Sequence, residues 1–344
     1  MAPTIKDVAE KAGVSPATVS RVFNNKGSIA DHTRKKVLEA AKKLKYTPRN
    51  YTKNNRKKGE NVGIIFSKRI STNLVGDPFY GQVMEGVEES LKKYNYNLFF
   101  KTISGIKNED VYTINSLIKD QDLAGLILTG YEIDKELILD IKNSNIPLVL
   151  IDNDLWDENI DCVVTDNISG ARKIVNYLIE LGHKRIAFFG GPLSHVSLEE
   201  RYIGYKQALK LAGIEKDDNL IYFCKPFSEI ADAFKAAYSF FSNVKTLPSA
   251  VFTGNDKIAI GVMKALKELG YRIPQDISIA GFDDIEMAKH TLPSLTTVRI
   301  FKKEMGILAG KRLYELINNI TPSPIKLVVS VETIIRGSTS KYYN

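Results

Sequence analysis

The chain has 344 residues, 48 Lys+Arg against 40 Asp+Glu, a net charge of +8 and 44% hydrophobic residues. That length suits more than one domain of ordinary size, and the two distant cysteines, Cys162 and Cys224, exclude a disulfide scaffold or a cysteine metal cluster and read as quiet core thiols. No apolar run is long enough for a bilayer span, and Met1-Ala-Pro-Thr lacks the charged and apolar regions of a signal peptide, so a cytoplasmic, nucleoid-associated protein is expected.

The first two dozen residues, from Thr4 to Asn24, read as two short helices joined by a tight turn. Thr4 is placed to cap the first helix, with Asp7 three positions on as a short relative of the capping-box acid. Ile5, Val8, Ala9 and Ala12 recur at helical spacing and give one apolar face. Gly13 stands where a helix end favours a left-handed residue, and Val14 can fill the gap behind it. Ser15 caps the second helix, with Pro16 at its first position, where a missing N–H costs nothing. Val19 and Val22 point inward, while Ala17, Thr18, Ser20 and Arg21 lie on or near the outer face. A helix pair of this design seats its second member in the DNA major groove. Arg21 is the strongest base reader, because its fork matches the acceptor pair of guanine.

A third helix is expected over 31–44, with Val37, Ala40, Ala41 and Leu44 as its apolar stripe. Residues 1–60 hold 15 Lys+Arg and 5 Asp+Glu, a net of +10 that leaves 61–344 at −2. The basic excess sits in one small region, which points to nucleic acid as partner and to strongly salt-dependent binding.

From residue 61 the pattern alternates. Short apolar runs at 62–66, 98–101, 125–128, 148–151, 163–164, 185–189, 220–223, 250–252 and 277–280 predict strands. Amphipathic stretches such as 80–94, 169–181, 198–211 and 257–269 predict helices between them. Near-continuous apolar strands separated by helices imply parallel sheets covered on both faces. Nine of them in series suggest two doubly wound subdomains, whose ligands sit beyond the carboxyl ends of the strands.

Several motifs in order along the chain resemble the LacI/GalR family of bacterial transcriptional regulators. The headpiece run Thr4 to Val22 carries the likeness, with Thr33-Arg…Val37 and Leu44-Lys-Tyr-Thr-Pro48. Core motifs extend it: Asp77-Pro-Phe-Tyr80, Leu181-Gly-His-Lys-Arg-Ile186, Gly191-Pro192, Arg201-Tyr-Ile-Gly-Tyr205, Asn255-Asp-Lys-Ile-Ala-Ile-Gly261, Gly281-Phe-Asp-Asp284 and Pro293-Ser-Leu-Thr-Thr297. The resemblance implies an all-α helix-turn-helix headpiece (1–48), a hinge (49–60) and an α/β core like that of periplasmic sugar-binding proteins. It places one core subdomain at 61–160 plus 292–323 and the other at 161–291 plus 324–340, with crossovers near 160, 291 and 323.

The resemblance also implies the working residues. On DNA these are Thr4, Ser15, Pro16, Ala17, Thr18, Ser20, Arg21, Asn24, Thr33, Tyr46, Tyr51 and Asn55. In the cleft they are Phe79, Tyr80, Asp152, His195, Glu199, Arg201, Phe227, Asn255 and Asp283. Aromatic walls with carboxylates and an amide suit a neutral sugar, covering its C–H faces and satisfying its hydroxyls. Arg201 has two readings, a ligand contact or a partner for a nearby acid. Relatives usually carry Ala-Arg-Ser-Leu in the hinge, with the leucine as a minor-groove wedge. Here Asn55 takes that place, so either Tyr51 wedges or the hinge holds DNA mainly by charge. A homodimer on a palindromic operator is expected, with no heptad tail for a tetramer. The alternatives are a regulator steered by a docked protein and a periplasmic sugar-binding protein. An enzyme is not expected: Gly190-Gly-Pro-Leu-Ser194 is too short for a phosphate loop, and His32, His183, His195 and His290 lack metal-ligand spacing, so no cofactor is anticipated.

Overall fold

The computed structural model describes residues 3–23, 29–44, 46, 60–67, 77, 79–130, 133–155, 157–225 and 229–343. The chain divides into two compact units, Met1–Glu60 and Asn61–Asn344.

The small unit holds α1 (Ile5–Ala12), α2 (Pro16–Phe23) and α3 (Asp31–Leu44). Thr4 and Asp7 form the reciprocal cap: Thr4 N donates to Asp7 Oδ2 at 2.6 Å and Asp7 N to Thr4 Oγ1 at 3.4 Å. Gly13 ends α1 at φ 65°, the left-handed region that a side chain avoids. Val14 N then returns to Ala9 O at 3.0 Å and closes the turn. Val8, Ala9, Val19, Val22, Phe23, Val37, Ala40 and Ala41 make one buried cluster, with Phe23 and Tyr46 in ring contact at 6.0 Å. A core this small holds because each helix gives it a full apolar stripe.

The large unit begins with β1 (Asn61–Phe66), α4 (Tyr80–Lys93), β2 (Asn97–Thr102), α5 (Lys107–Asp120), β3 (Leu123–Thr129), α6 (Lys135–Asn143), β4 (Leu148–Ile151) and β5 (Asp161–Thr165). It continues with α7 (Asn167–Glu180), β6 (Ile186–Gly190), α8 (Val196–Leu211), β7 (Ile221–Phe223), α9 (Ile230–Asn243), β8 (Ala250–Thr253), α10 (Asp256–Glu268), β9 (Ser278–Ala280) and α11 (Glu286–Lys289). It closes with β10 (Thr297–Arg299), α12 (Lys302–Ile317), β11 (Lys326–Val329) and β12 (Glu332–Ile334). One parallel sheet runs β11-β5-β4-β3-β1-β2 and a second runs β7-β6-β8-β9, while β10 and β12 form an antiparallel pair. Strands β1, β4, β5, β6 and β8 are buried at every residue, as parallel strands under two helical layers must be. The edge strands β2 and β11 are half open, with Phe100 and Val328 exposed.

The crossovers differ from those expected. Asp161 is not a boundary: it accepts Arg312 Nε at 2.6 Å and Ile325 N at 2.9 Å, which draws β5 and β11 into the first sheet. The first crossover therefore follows Thr165 rather than 160, and the third follows Val329 rather than 323. The second moves from 291 to beyond Arg299, because Gly281 N and Asp283 N bond the carbonyls of Thr296 and Val298, each at 2.8 Å. Helix α12 returns to the first subdomain and lies almost backbone to backbone on α4. A Cβ on Gly86 would stand 2.0 Å from Lys303 O, and one on Gly306 2.1 Å from Val83 O.

In each sheet the chain winds both ways from a central strand, from β1 toward β2 and β3, and from β6 toward β7 and β8. Such switch points open a crevice at the carboxyl ends of the strands. Tyr80 at the start of α4 and the loops following Gly190 and Thr253 occupy those positions.

Candidate functional site

On α2 of the small unit, Val19, Val22 and Phe23 are buried and Ser15, Pro16, Ala17 and Arg21 are exposed, with Thr18 and Ser20 half-buried. The Ser15 hydroxyl caps the helix, accepting Thr18 N at 3.1 Å. Thr4 is likewise held by Asp7, and Thr33 Oγ1 lies 3.1 Å from His32 Nε2. Arg21 has no hydrogen bond or ion pair among the described residues, so its guanidinium is free for an outside acceptor.

In the large unit one cavity of about 90 Å³, several times the room one water needs, is lined by Asp77, Phe79, Tyr80, Asp152, His195, Leu198, Arg201, Asn255, Lys257, Asp283 and Ile285. Asp77 Oδ1 accepts both Phe79 N and Tyr80 N at 2.9 Å, so the start of α4 is fixed and its two rings stand edge to face at 4.9 Å. Asp152 follows β4 at φ 54° and is buried. It accepts Ser197 Oγ at 2.7 Å and Tyr80 OH at 3.1 Å, a bridge between the two subdomains. Burial pushes its carboxyl up to about 6, against the hydroxyl of Ser197 and the charge of Arg201, which pull it down.

Arg201 is buried and its fork is largely spent. Nε donates to Asn167 Oδ1 at 2.9 Å, Nη1 donates to Gly254 O at 2.7 Å, and the guanidinium lies 4.0 Å from the centre of the Phe282 ring. Nη1 also stands 2.9 Å from Asp283 Oδ1. Burial raises the Asp283 carboxyl, and the charge of Arg201 in this ion pair pulls it back down. Asn255 caps α10 by accepting Ile258 N at 2.8 Å with its oxygen, and its amide nitrogen has no partner among the described residues. Lys257 pairs with Glu229 at 3.1 Å.

Family comparison agrees with both halves. The model of bacterial regulatory proteins of the lacI family matches residues 4–49, and that of the periplasmic binding protein-like domain matches 175–339. The probable HTH-type transcriptional repressor ExuR of Bacillus subtilis is 33% identical, with 98% of each chain covered. The chain belongs to the LacI family. Among solved structures of that family, the lac repressor dimer bound to operator and the anti-inducer ONPF superposes with a TM-score of 0.78 at 26% identity, covering 99% of this chain and all of that one. A complex of the transcriptional regulator CelR with cellobiose gives 0.74 at 29% identity, covering 98% of this chain and 99% of the other. As a LacI-family member the protein is a DNA-binding transcriptional regulator. No helix among its described residues is long and apolar enough to cross a membrane.

Of the cleft residues expected from the family likeness, Phe79, Tyr80, Asp152, His195, Arg201, Asn255 and Asp283 line the one cavity. Glu199 does not: it is exposed on α8, one helical step of about 100° from the inward-facing Leu198. Phe227 lies outside the described residues, as do Asn24, Tyr51 and Asn55. Sequence reading overlooked Asp77, Leu198, Lys257 and Ile285 in the lining, and Ser197 behind Asp152. Asp77 and Lys257 stood within motifs already singled out, and Ser197 lies one helical turn before Arg201 on the same face.

Asp152 gives a pH signature. A carboxyl raised in the folded state favours folding when protonated, so its contribution is fully present at low pH and is lost as pH rises through about 6. Asp256, fully buried and pushed up to about 8, acts with the same sign at higher pH. Asp152→Asn is expected to make the fall in melting temperature between about pH 4 and 6 shallower, while the share of Asp256, which runs on to about pH 8, remains. Unaltered pH curves in thermal melts of the variant would contradict this assignment.

Proposed function

We propose that the protein is a repressor that binds a palindromic operator as a homodimer, with its operator affinity set by a neutral sugar in the core cleft. In each protomer α2 enters the major groove and Arg21 reads a guanine, while Ser15, Pro16, Ala17, Thr18 and Ser20 approach neighbouring bases and phosphates. Thr4, Asn24, Thr33 and Tyr46 complete the headpiece contacts, and Tyr51 and Asn55 belong to the hinge's share of the grip. The protein works in the cytoplasm on the nucleoid and turns over no substrate.

The observation that carries the effector reading is the lining of the cavity, where the carboxylates of Asp152 and Asp283 and the amide of Asn255 meet the Phe79 and Tyr80 rings. Asn255 offers an amide donor nearby, and Phe79 and Tyr80 offer ring faces and edges to C–H groups. Both lining cations, Arg201 and Lys257, already stand against carboxylates, which favours a neutral ligand over an anion. For regulation the sugar must bind the two states of the core unequally.

Thermal shift with a panel of neutral sugars, uronates, nucleosides and amino acids tests this. Neutral sugars such as ribose and cellobiose are expected to raise the melting temperature. Asp283→Asn is expected to weaken the best sugar by roughly 10- to 150-fold, the loss of one charge-assisted hydrogen bond. A panel in which only anions stabilise would overturn the neutral reading, and no response at all would leave a docked protein as the controlling partner.

A further inference from the structure

Lys302 is 2% exposed, although it plays no part in lining the cleft. Lysine is almost never that buried unless it is paired. It opens α12, a first-subdomain helix, yet its ammonium donates to the carbonyl oxygen of Asp283 and lies 3.5 Å from that of Asp284, both in the second-subdomain loop after β9. Asp283 and Asp284 sit at φ 113° and 49°, backbone that side-chain-bearing residues hold only where their surroundings fix it. The surroundings do so from two sides. Asp256, fully buried, accepts Ile285 N at 2.9 Å and Thr297 Oγ1 at 2.6 Å, which ties the loop to its own subdomain. Lys302 ties it to the other.

The tie has a mechanical path. The close approach of Gly86 to the Lys303 carbonyl and of Gly306 to the Val83 carbonyl leaves α12 no room to slide on α4. Helix α4 begins at Tyr80, and its first residues form the opposite wall of the cleft from Asp283. One wall is thus joined to the other through Asp283, Lys302, α12 and α4.

We propose that Lys302 is a positioning residue that holds the Asp283 loop in register with the start of α4 and transmits the state of the cleft to the first subdomain. The transmission half rests on the cleft being the effector site, whereas the positioning half does not.

Hydrogen exchange on the full-length protein separates the two. Without ligand, Lys302→Met is expected to speed exchange of amides 281–285 by roughly 10- to 150-fold, while β3 and β6 keep their wild-type rates. Unchanged exchange at 281–285, or an equal rise across the whole core, would overturn the positioning role. Should Lys302→Met not fold, Lys302→Gln, which keeps a donor but loses charge and reach, is read the same way. With ribose or cellobiose as probe, wild type is expected to gain protection at both 281–285 and 306–312 of α12, which does not touch the cleft, and Lys302→Met at 281–285 alone. Protection of both segments in the variant would overturn transmission. If neither sugar protects wild type, the sugar reading fails and transmission through Lys302 fails with it, while the ligand-free comparison still decides the positioning role.

Discussion

Replacing Arg21 by alanine is expected to weaken operator binding by about 30- to 25,000-fold, because a dimer loses two base contacts of roughly 1–3 kcal/mol each. The argument starts from what its neighbours cannot do. The Ser15 hydroxyl is committed to the Thr18 amide, and Pro16 and Ala17 offer only apolar contact. Arg21 is exposed on α2, without a hydrogen bond or ion pair among the described residues, so truncation to alanine leaves no buried partner behind and barely disturbs the fold. Affinity for unrelated DNA should fall far less, since the net of +10 over residues 1–60 supplies the phosphate attraction. Fluorescence anisotropy with an operator duplex and a scrambled duplex over a salt series separates these effects. An equal loss on both duplexes, with a shallower salt slope, would make Arg21 a phosphate contact instead.

The headpiece was legible in the sequence because its signals are local. Thr4 with Asp7, Gly13 before Val14, and Ser15 before Pro16 each act within four residues, and each appears where the spacing places it. The nine apolar strands of the core were legible for a similar reason, since buried parallel strands advertise themselves as apolar runs. Strands β10, β11 and β12 were not. They have three or four residues each, and their partners lie far along the chain, Thr297 against Ile334 and Lys326 against Cys162. The crossovers went astray with them, because the bond from Arg312 that claims Asp161 for the first subdomain spans 151 residues. In the cleft, residues just after strands could be chosen by topology alone, as with Asp152 and Asn255. Glu199 was misplaced because α8 has almost no amphipathic contrast to reveal which side faces in: Ser197, Arg201 and Gly204 are buried beside Leu198 and Tyr205. Lys302 is invisible at the sequence level, since nothing near it in the chain explains a buried ammonium.

Arg201→Met is expected to destabilise the core by about 3–5 kcal/mol at neutral pH, the cost of removing one partner from a buried ion pair. Two of the lost bonds, to Asn167 and to the Gly254 carbonyl, are structural, and the ring contact with Phe282 goes too. The largest share comes from Asp283, whose carboxyl is already raised by burial and is held down chiefly by Arg201, with Lys302 next. Without the guanidinium that carboxyl rises further, so the variant regains stability as the pH falls and Asp283 takes up a proton. Asp283→Asn added to Arg201→Met should therefore restore part of the loss at neutral pH and remove the Asp283 share of the acid recovery, leaving that of Asp152 and Asp256. A double variant no more stable than Arg201→Met would show that the packing on Phe282 and the bond to Asn167 dominate instead. Sugar affinity offers the complementary reading. The single variant exposes an unpaired carboxylate to the ligand, and the double variant exchanges it for an amide, so neither should recover wild-type binding even where stability returns. Stability and ligand affinity would then part company at one residue. That outcome makes Arg201 both the partner of an acid and a wall of the cleft, the two roles that its place in the sequence left open.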